Sequence, residues 1–285
     1  MNRLNLTIIA LLLMVGVPYY WFMLDTSTPQ SEPMPISMAQ LRSLAAAPVQ
    51  EAPRRIRFEH VAKQSVTGNR ITAGVGLKSI ELYTLSYMVE YADQAPILIG
   101  SGIASEDVAR FGHDNFFPRA QARIASALSR AQMLVPLALT PEQLGGLRML
   151  GQSEQAKALD AKLARQQQAD SKLVPHRVAP GIVVIPAPKF QAGARMVYVK
   201  LASGREYLFA GNIARTYRAW SELRPPARFV TDIGKEEDRG AIMSWLLTLR
   251  KLKQEAPRLV IVSGNRIPKR GGLLHYFDES ANIVR

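Results

Sequence analysis

The sequence predicts an α+β protein: two β-sheets packed together with helices outside, behind one N-terminal transmembrane helix. Three observations predict it. Alternating and apolar strand runs come in two groups, each followed by helical stretches, in the order β-rich, α, β-rich, α, β. Leu4 to Leu24 carries no charge. The remainder, with 47% hydrophobic and 21% charged residues overall, has the composition of a folded globular chain.

The N-terminal run comes first. At about 1.5 Å per residue it spans roughly 30 Å, enough for a bilayer core. Arg3 and Asp25 bracket it, and Tyr19, Tyr20 and Trp21 cluster at its far end as an interfacial belt would. A cleaved signal peptide is the competing reading, but its apolar region is usually only about 7–15 residues. An uncleaved anchor over residues 1–24 is the expectation, with the N-terminus cytoplasmic and the main domain on the non-cytoplasmic side. Residues 25–53 hold Pro29, Pro33, Pro35, Pro48 and Pro53 among Ser, Gln and Ala. They read as a Pro-rich tether, with one short helical turn around 38–46.

Residues 54–285 form the expected domain. Ile56, Phe58 and His60 alternate with Arg55, Arg57 and Glu59, as in a half-buried strand. Strands are predicted at 81–91, 96–99 and 132–135, with helices at 105–111 and 116–130 between the last two. Thr140, Pro141 and Gln143 have the spacing of a capping box that opens a helix, and 153–168 is a polar amphipathic helix. Four strands follow at 173–178, 182–185, 195–201 and 206–210. Helices at 213–222 and 235–254 and a strand at 258–262 complete the reading. The acidic cluster Glu236–Asp238 suits a helix N-terminus, where the dipole favours negative charge.

Composition excludes several chemistries. There is no cysteine, so disulfides, thiolate metal sites and cysteine nucleophiles are absent. Gly74 to Ser79 (GVGLKS) lacks the first glycine of a phosphate loop, and neither G-x-S-x-G nor S-x-x-K occurs. The net charge is +13. Before residue 54 only Arg3 and Arg42 stand against Asp25, Glu32 and Glu51, so the excess belongs to the domain. Such a field favours an anionic ligand or lipid headgroups. A nucleic-acid partner is not expected, because no dense basic block with interleaved aromatics is present. No protein partner can be named.

Several motif frames carry a resemblance. ILIGSG closes an early strand; LVPLALTPEQLGGL runs from a strand end into a helix with the Gly145-Gly146 pair. IPAPKF, YLFAGNIA and LVIVSGNRI follow in order. Together they resemble the signature loops of the metallo-β-lactamase superfamily. The resemblance implies a four-layer αββα sandwich, a zinc site and a hydrolase acting on an ester, lactone, thioester or phosphoester. It also places the family's metal-binding positions on Ala138, Thr140, Glu142, Gln143, Phe190, Asn212 and Asn265. Gly100 stands at a further acidic position of the family.

A catalytic zinc needs about three ligands drawn from imidazole, thiolate and carboxylate. None of His60, His113, His176 and His275 falls on a ligand position. The expectation is therefore a pseudoenzyme with a ligand-binding or structural and regulatory role, no cofactor, and the seven positions reused for a ligand. The alternative is a hydrolase with a non-standard site, zinc being the cofactor it would need. Glu142 also serves as first-turn helix charge. His113 with Asp114 is a minor candidate for orienting a substrate, and the Arg-rich loops at 215–228 and 266–270 for holding an anion.

Overall fold

The structure is a computed structural model and describes residues 3–27, 30–191, 193–234, 238–268 and 272–277. The apolar N-terminal run is one helix, α1 (Arg3–Tyr19), continued by a π-helical turn to Leu24. None of α1 is buried in the protein.

The first sheet begins with β1 (Arg55–Thr67), far longer than the predicted strand, then a single turn, α3 (Gly68–Ile71). β2 (Ser79–Glu90) pairs antiparallel with β1 along its whole length. β3 (Ile97–Ile99) and the short β4 (Asn115–Phe116) follow, then α4 (Pro118–Ser129) and β5 (Met133–Leu134). Next come α5 (Pro141–Met149) and α6 (Glu154–Asp170). The second sheet holds β6 (His176–Ala179), β7 (Ile182–Pro186), β8 (Arg195–Lys200) and β9 (Glu206–Phe209). α7 (Tyr217–Ser221) and α8 (Arg239–Glu255) then lead to β10 (Val260–Val262), and β11 (Leu274–His275) returns to the first sheet.

Strand order is β11-β1-β2-β3-β5, with β4 against β1, in one sheet and β10-β9-β8-β7-β6 in the other. The parallel pairs β3/β5 and β9/β10 are each joined through helices, and the parallel pair β1/β11 spans most of the domain in sequence.

Three apolar clusters define four layers. Ile56, Phe58, Tyr87 and Ile99 of the first sheet meet Ile182, Val184, Val197 and Phe209 of the second between the sheets. Outside the first sheet, Val61, Met88 and Leu98 pack on Ile124, Leu128, Leu147 and Leu159 of the helices. Outside the second, Val183, Ile185, Met196 and Tyr198 pack on Trp245, Leu246 and Leu249 of α8. β7 and β8 thus bury both faces, which is why IVVIP and RMVYVK read as apolar runs rather than as alternation. The layering is αββα.

Residues 25–53 differ from an extended tether. Met38–Leu44 is a helix, α2, with Met38 and Leu41 buried beside the α8 side chains. Met34 N–H donates to Thr248 Oγ1 at 2.8 Å and Met38 N–H to Glu255 Oε2 at 2.7 Å; Arg42 pairs with both oxygens of Glu206. The physical reason is a short apolar stripe, Met38, Leu41 and Ala45, whose burial outweighs the extended preference of the surrounding prolines.

The predicted helix at 105–111 is only a 3₁₀ turn, Ser105–Asp107. That at 213–222 splits into a 3₁₀ turn, Gly211–Ala214, and α7. The predicted start of α8 at Lys235, with Glu236, lies outside the described residues. Asp238 is its N-cap, accepting from Ala241 N–H at 3.0 Å.

Candidate functional site

Five loops meet at one end of the sandwich, and backbone contacts bring them there. Gly100, just past β3, donates to Val135 O at 3.2 Å. The 135–140 loop is held in turn by Arg195 N–H donating to Leu137 O at 3.0 Å. Gly211, at the end of β9, has φ +55 and lies so close to Leu137 that a Cβ there would meet the Leu137 Cβ at 3.1 Å. Gly264, past β10, presses on Gly211; a Cβ there would sit 2.1 Å from Gly211 O. All five motif frames therefore converge.

The glycine pair of α5 has a packing explanation. Gly145 N–H donates to Gly102 O at 2.8 Å and Gly146 N–H to Ser101 O at 3.1 Å. A Cβ on Gly145 would fall 2.2 Å from Ala104 N, and one on Gly146 2.5 Å from Ser101 O. Only bare backbone lets the helix approach the 100–104 loop this closely. Ser101 Oγ completes the seam, donating to Gln143 O at 3.0 Å and accepting from Leu147 N–H at 3.3 Å.

The side chains at the seven positions do less together than their backbones. Ala138 is buried and offers only a methyl. Thr140 is the N-cap of α5 but its hydroxyl makes no capping bond, so the capping box does not form. Gln143 turns away from it: Oε1 accepts from Leu137 N–H at 3.1 Å and fills the space beside Gly100, where a Cβ would lie 2.5 Å away. Glu142 sits half-exposed in the first turn of α5.

Phe190 is 8% exposed and, with Asn212 and Arg215, lines a crevice of only ≈ 10 Å³, room for about one water. Asn212 Nδ2 donates to Gln191 Oε1 at 3.2 Å. Asn265 faces the first sheet instead: Nδ2 donates to Tyr83 O at 3.2 Å, and its backbone carbonyl accepts from Tyr83 N–H at 2.9 Å. It ties β2 to the 264–265 loop.

His113 and Asp114 are also structural. His113 is 8% exposed, and its Nε2 lies 2.9 Å from Thr84 Oγ1. Burial holds its pKa below the ordinary imidazole value, against the raising influence of the Glu142 charge. Asp114 accepts from Ser65 N–H at 2.6 Å. Of the Arg-rich loops, Arg228 pairs with Asp25 and Asp232, and Arg266 donates to Glu81 O at 2.9 Å; Lys269 and Arg270 lie outside the described residues.

One pairing had no sequence signal. β11 runs parallel to β1 and sets His275 Nε2 3.1 Å from His60 Nδ1. Both imidazoles sit among Phe58, Tyr83, Phe117 and Tyr276. More than two hundred residues of chain separate them, so only the sheet reveals the contact.

Comparison with solved structures decides the fold. A quorum-quenching N-acyl homoserine lactone lactonase superposes with a TM-score of 0.57 at 14% identity, covering 76% of this chain and 94% of its own. An N-acyl homoserine lactone hydrolase reaches 0.59 at 13% identity, over 80% and 99%. The chain has the metallo-β-lactamase fold.

A probable metal-dependent hydrolase from Staphylococcus aureus shares it as well, with a TM-score of 0.52 at 12% identity over 75% and 90% of the two chains. No family model and no curated protein matches the sequence.

The metallo-β-lactamase fold corrects one expectation. In one lactonase with a TM-score of 0.57 to this chain, the product N-hexanoyl-L-homoserine is bound at a catalytic metal centre. The expectation of no cofactor does not stand, since it rested on ligand identity alone and a protein of this fold holds a catalytic metal centre. The donor set here nonetheless does not fit such a centre. A methyl, a phenyl, a hydroxyl, three amides and one carboxylate occupy the seven positions, and neutral amides are poor substitutes for imidazole or a bridging carboxylate. Among the described residues, no three His, Cys, Asp or Glu side chains gather as a metal would require.

Proposed function

We propose that this protein is a hydrolase of a lactone, ester, thioester or phosphoester; its structural neighbours include lactonases. α1 holds it at a membrane, with the N-terminus cytoplasmic and the domain on the other side. The observation that carries the reading is the convergence of the five loops on the end of the sandwich, in a fold whose solved examples include lactonases. α1 supports the membrane setting: residues Arg3–Leu24 are long and apolar enough to cross a bilayer.

Glu142 is the single carboxylate that the seven positions offer. In this reading it takes a proton from an attacking water, whose oxygen bonds to the substrate's carbonyl carbon or phosphorus. The bond to the leaving oxygen or sulfur breaks, and the proton passes from Glu142 to that leaving group. The Asn212 amide is the neutral donor on the opposite loop.

The test uses the full chain in detergent micelles, offered an acyl-homoserine lactone, an aryl ester, a thioester and a phosphoester, with and without added divalent metal. Turnover that falls about a hundredfold or more in Glu142→Gln is expected. A folded protein inactive on the whole panel overturns the reading.

A second reading has its own observation. Gln143 fills the space beside Gly100 among the loops and Phe190 is buried against α8, which supports a non-catalytic ligand-binding, structural or regulatory role. It expects the inactive outcome.

A further inference from the structure

At the other end of β3 from Gly100, two hollows of ≈ 440 Å³ and ≈ 450 Å³ lie side by side and share Arg55, Glu90 and Arg130 as walls. Arg54 lines the first; Arg57 and Arg123 line the second. Five guanidiniums therefore face one divided groove.

Among the described residues, two carboxylates answer them. Glu90 accepts from Arg55 Nε and, through its other oxygen, from Arg57 Nε at 3.2 Å. Glu59, fully buried, takes Arg123 at 2.5 and 3.0 Å and Phe277 N–H at 2.9 Å. These pairs fix the floor. Arg57 is itself only 2% exposed, so its positive charge is built into the groove rather than waving above it.

Arg54 at the head of β1 and Arg130 at the C-cap of α4 stand exposed on the walls, and neither side chain has an ion-pair partner among the described residues. Arg54 and Arg130 thus set two positive charges on the walls with no ion-pair partner among the described residues. A concave site with low-dielectric walls focuses such a field on whatever anion enters.

We propose that this groove binds a phosphoryl group carrying two or more negative charges, gripped between Arg54 and Arg130 over the Arg55–Glu90–Arg57 floor. Guanidinium forks match the oxygens of phosphate in pairs, which a lysine cannot do. Hollows of this size admit a small phosphorylated molecule and not merely an ion. The ligand is soluble: the described residues of the membrane helix meet the domain at Gly74, past the far end of β1, and the groove opens at the near end of that strand. The site is separate from the loop cluster, so it stands whether or not the protein hydrolyses anything.

The test is calorimetric titration of the full chain, in neutral-lipid nanodiscs, with pyrophosphate. Saturable binding is expected that weakens about tenfold or more between about 50 and 250 mM salt. The double variant Arg54→Ala/Arg130→Ala should lose at least about tenfold in affinity with an unchanged melting curve, because both residues are exposed. Absence of saturable binding, or binding untouched by the double variant, overturns the assignment. Repeating the titration in anionic-lipid nanodiscs separates the two sources of phosphoryl groups. Equal affinity supports a soluble ligand, and loss of binding makes the headgroup the occupant and overturns the soluble one.

Discussion

At the scale of single residues, the glycine pair of α5 shows how a motif can persist for packing alone. Gly145 lies against backbone, which cannot swing aside as a side chain can. Gly145→Ala should therefore cost about 3 kcal/mol or prevent folding, read as the urea midpoint of the full chain in micelles. An unchanged midpoint would mean that the seam is loose.

Histidine supplies a second residue-scale prediction. Burial lowers the pKa of both His60 and His113. The unfolded chain then takes up protons first as pH falls below the ordinary imidazole value of about 6.5. Stability should hold level above about pH 7 and drop as the solution is acidified through that value toward the lower folded pKa values. His60→Gln/His113→Gln should flatten this part of the profile; a profile identical to wild type would contradict the argument.

The residue scale is also where the sequence was least informative. Gln143 was legible as a cap partner by spacing, yet its amide went to Leu137 N–H, because the 137 loop had an unsatisfied donor nearby. Asn265 was placed on the right loop, but which way its amide points depends on β2, a strand from the other sheet.

Among the elements, strands buried on both faces and the capped helices were readable, since their signals are local: apolar runs in β7 and β8, and Ser153 capping α6. β4 and β11 were not. Two-residue strands have no periodicity to detect and exist because β1 offers them an edge. α2 was seen as a turn in a tether; what no local pattern could say is that α8 waits to cover it.

The junction below α1 is the element-scale surprise. Asp25 Oδ2 accepts from Arg228 Nε at 2.7 Å, and the same guanidinium lies 4.3 Å from the Trp21 ring centre. Arg239 donates to Asp25 O at 2.7 Å, and Gly74 N–H to Met23 O at 3.2 Å. Burial alone would raise the Asp25 pKa, but the donors of Ser27 and Arg228 hold the carboxyl below its ordinary value. Arg228→Ala leaves that carboxylate with the Ser27 donors alone, at a cost of about 1–3 kcal/mol. Hydrogen exchange at Met23, Asp25 and Gly74 should quicken about tenfold or more; unaltered exchange there would show that the other bonds suffice.

For the molecule as a whole, the fold was legible because five weak frames in the right order are jointly informative, and the structure brings all five together. The chemistry was less legible. Loss of ligands suggested an absent cofactor, whereas the fold's solved examples include one with a catalytic metal centre. The arginine groove escaped the sequence reading because Arg54, Arg55 and Arg57 form one run, but Glu90, Arg123 and Arg130 join them only when β1, β2 and α4 come together.

One prediction belongs at this scale. Phe190→Ala removes a ring packed against α8 and should open a cavity, costing about 3–5 kcal/mol. It should also let an apolar dye bind where the wild-type protein takes none. A stable variant that binds no dye would mean that the neighbouring loops collapse into the gap.

The packing of α2 beneath α8, and of β11 beside β1, has a consequence in time. The apolar stripe of α2 lacks its α8 cover, and β1 its β11 edge partner, until residues 238–277 have been made. The nascent chain must carry an unpaired β1 edge and a bare apolar stripe through most of its synthesis. Closure is then a late, long-range event, slow by the standards of locally wired folds. Chains interrupted before α8 should be left open to proteases and holding chaperones rather than half-folded.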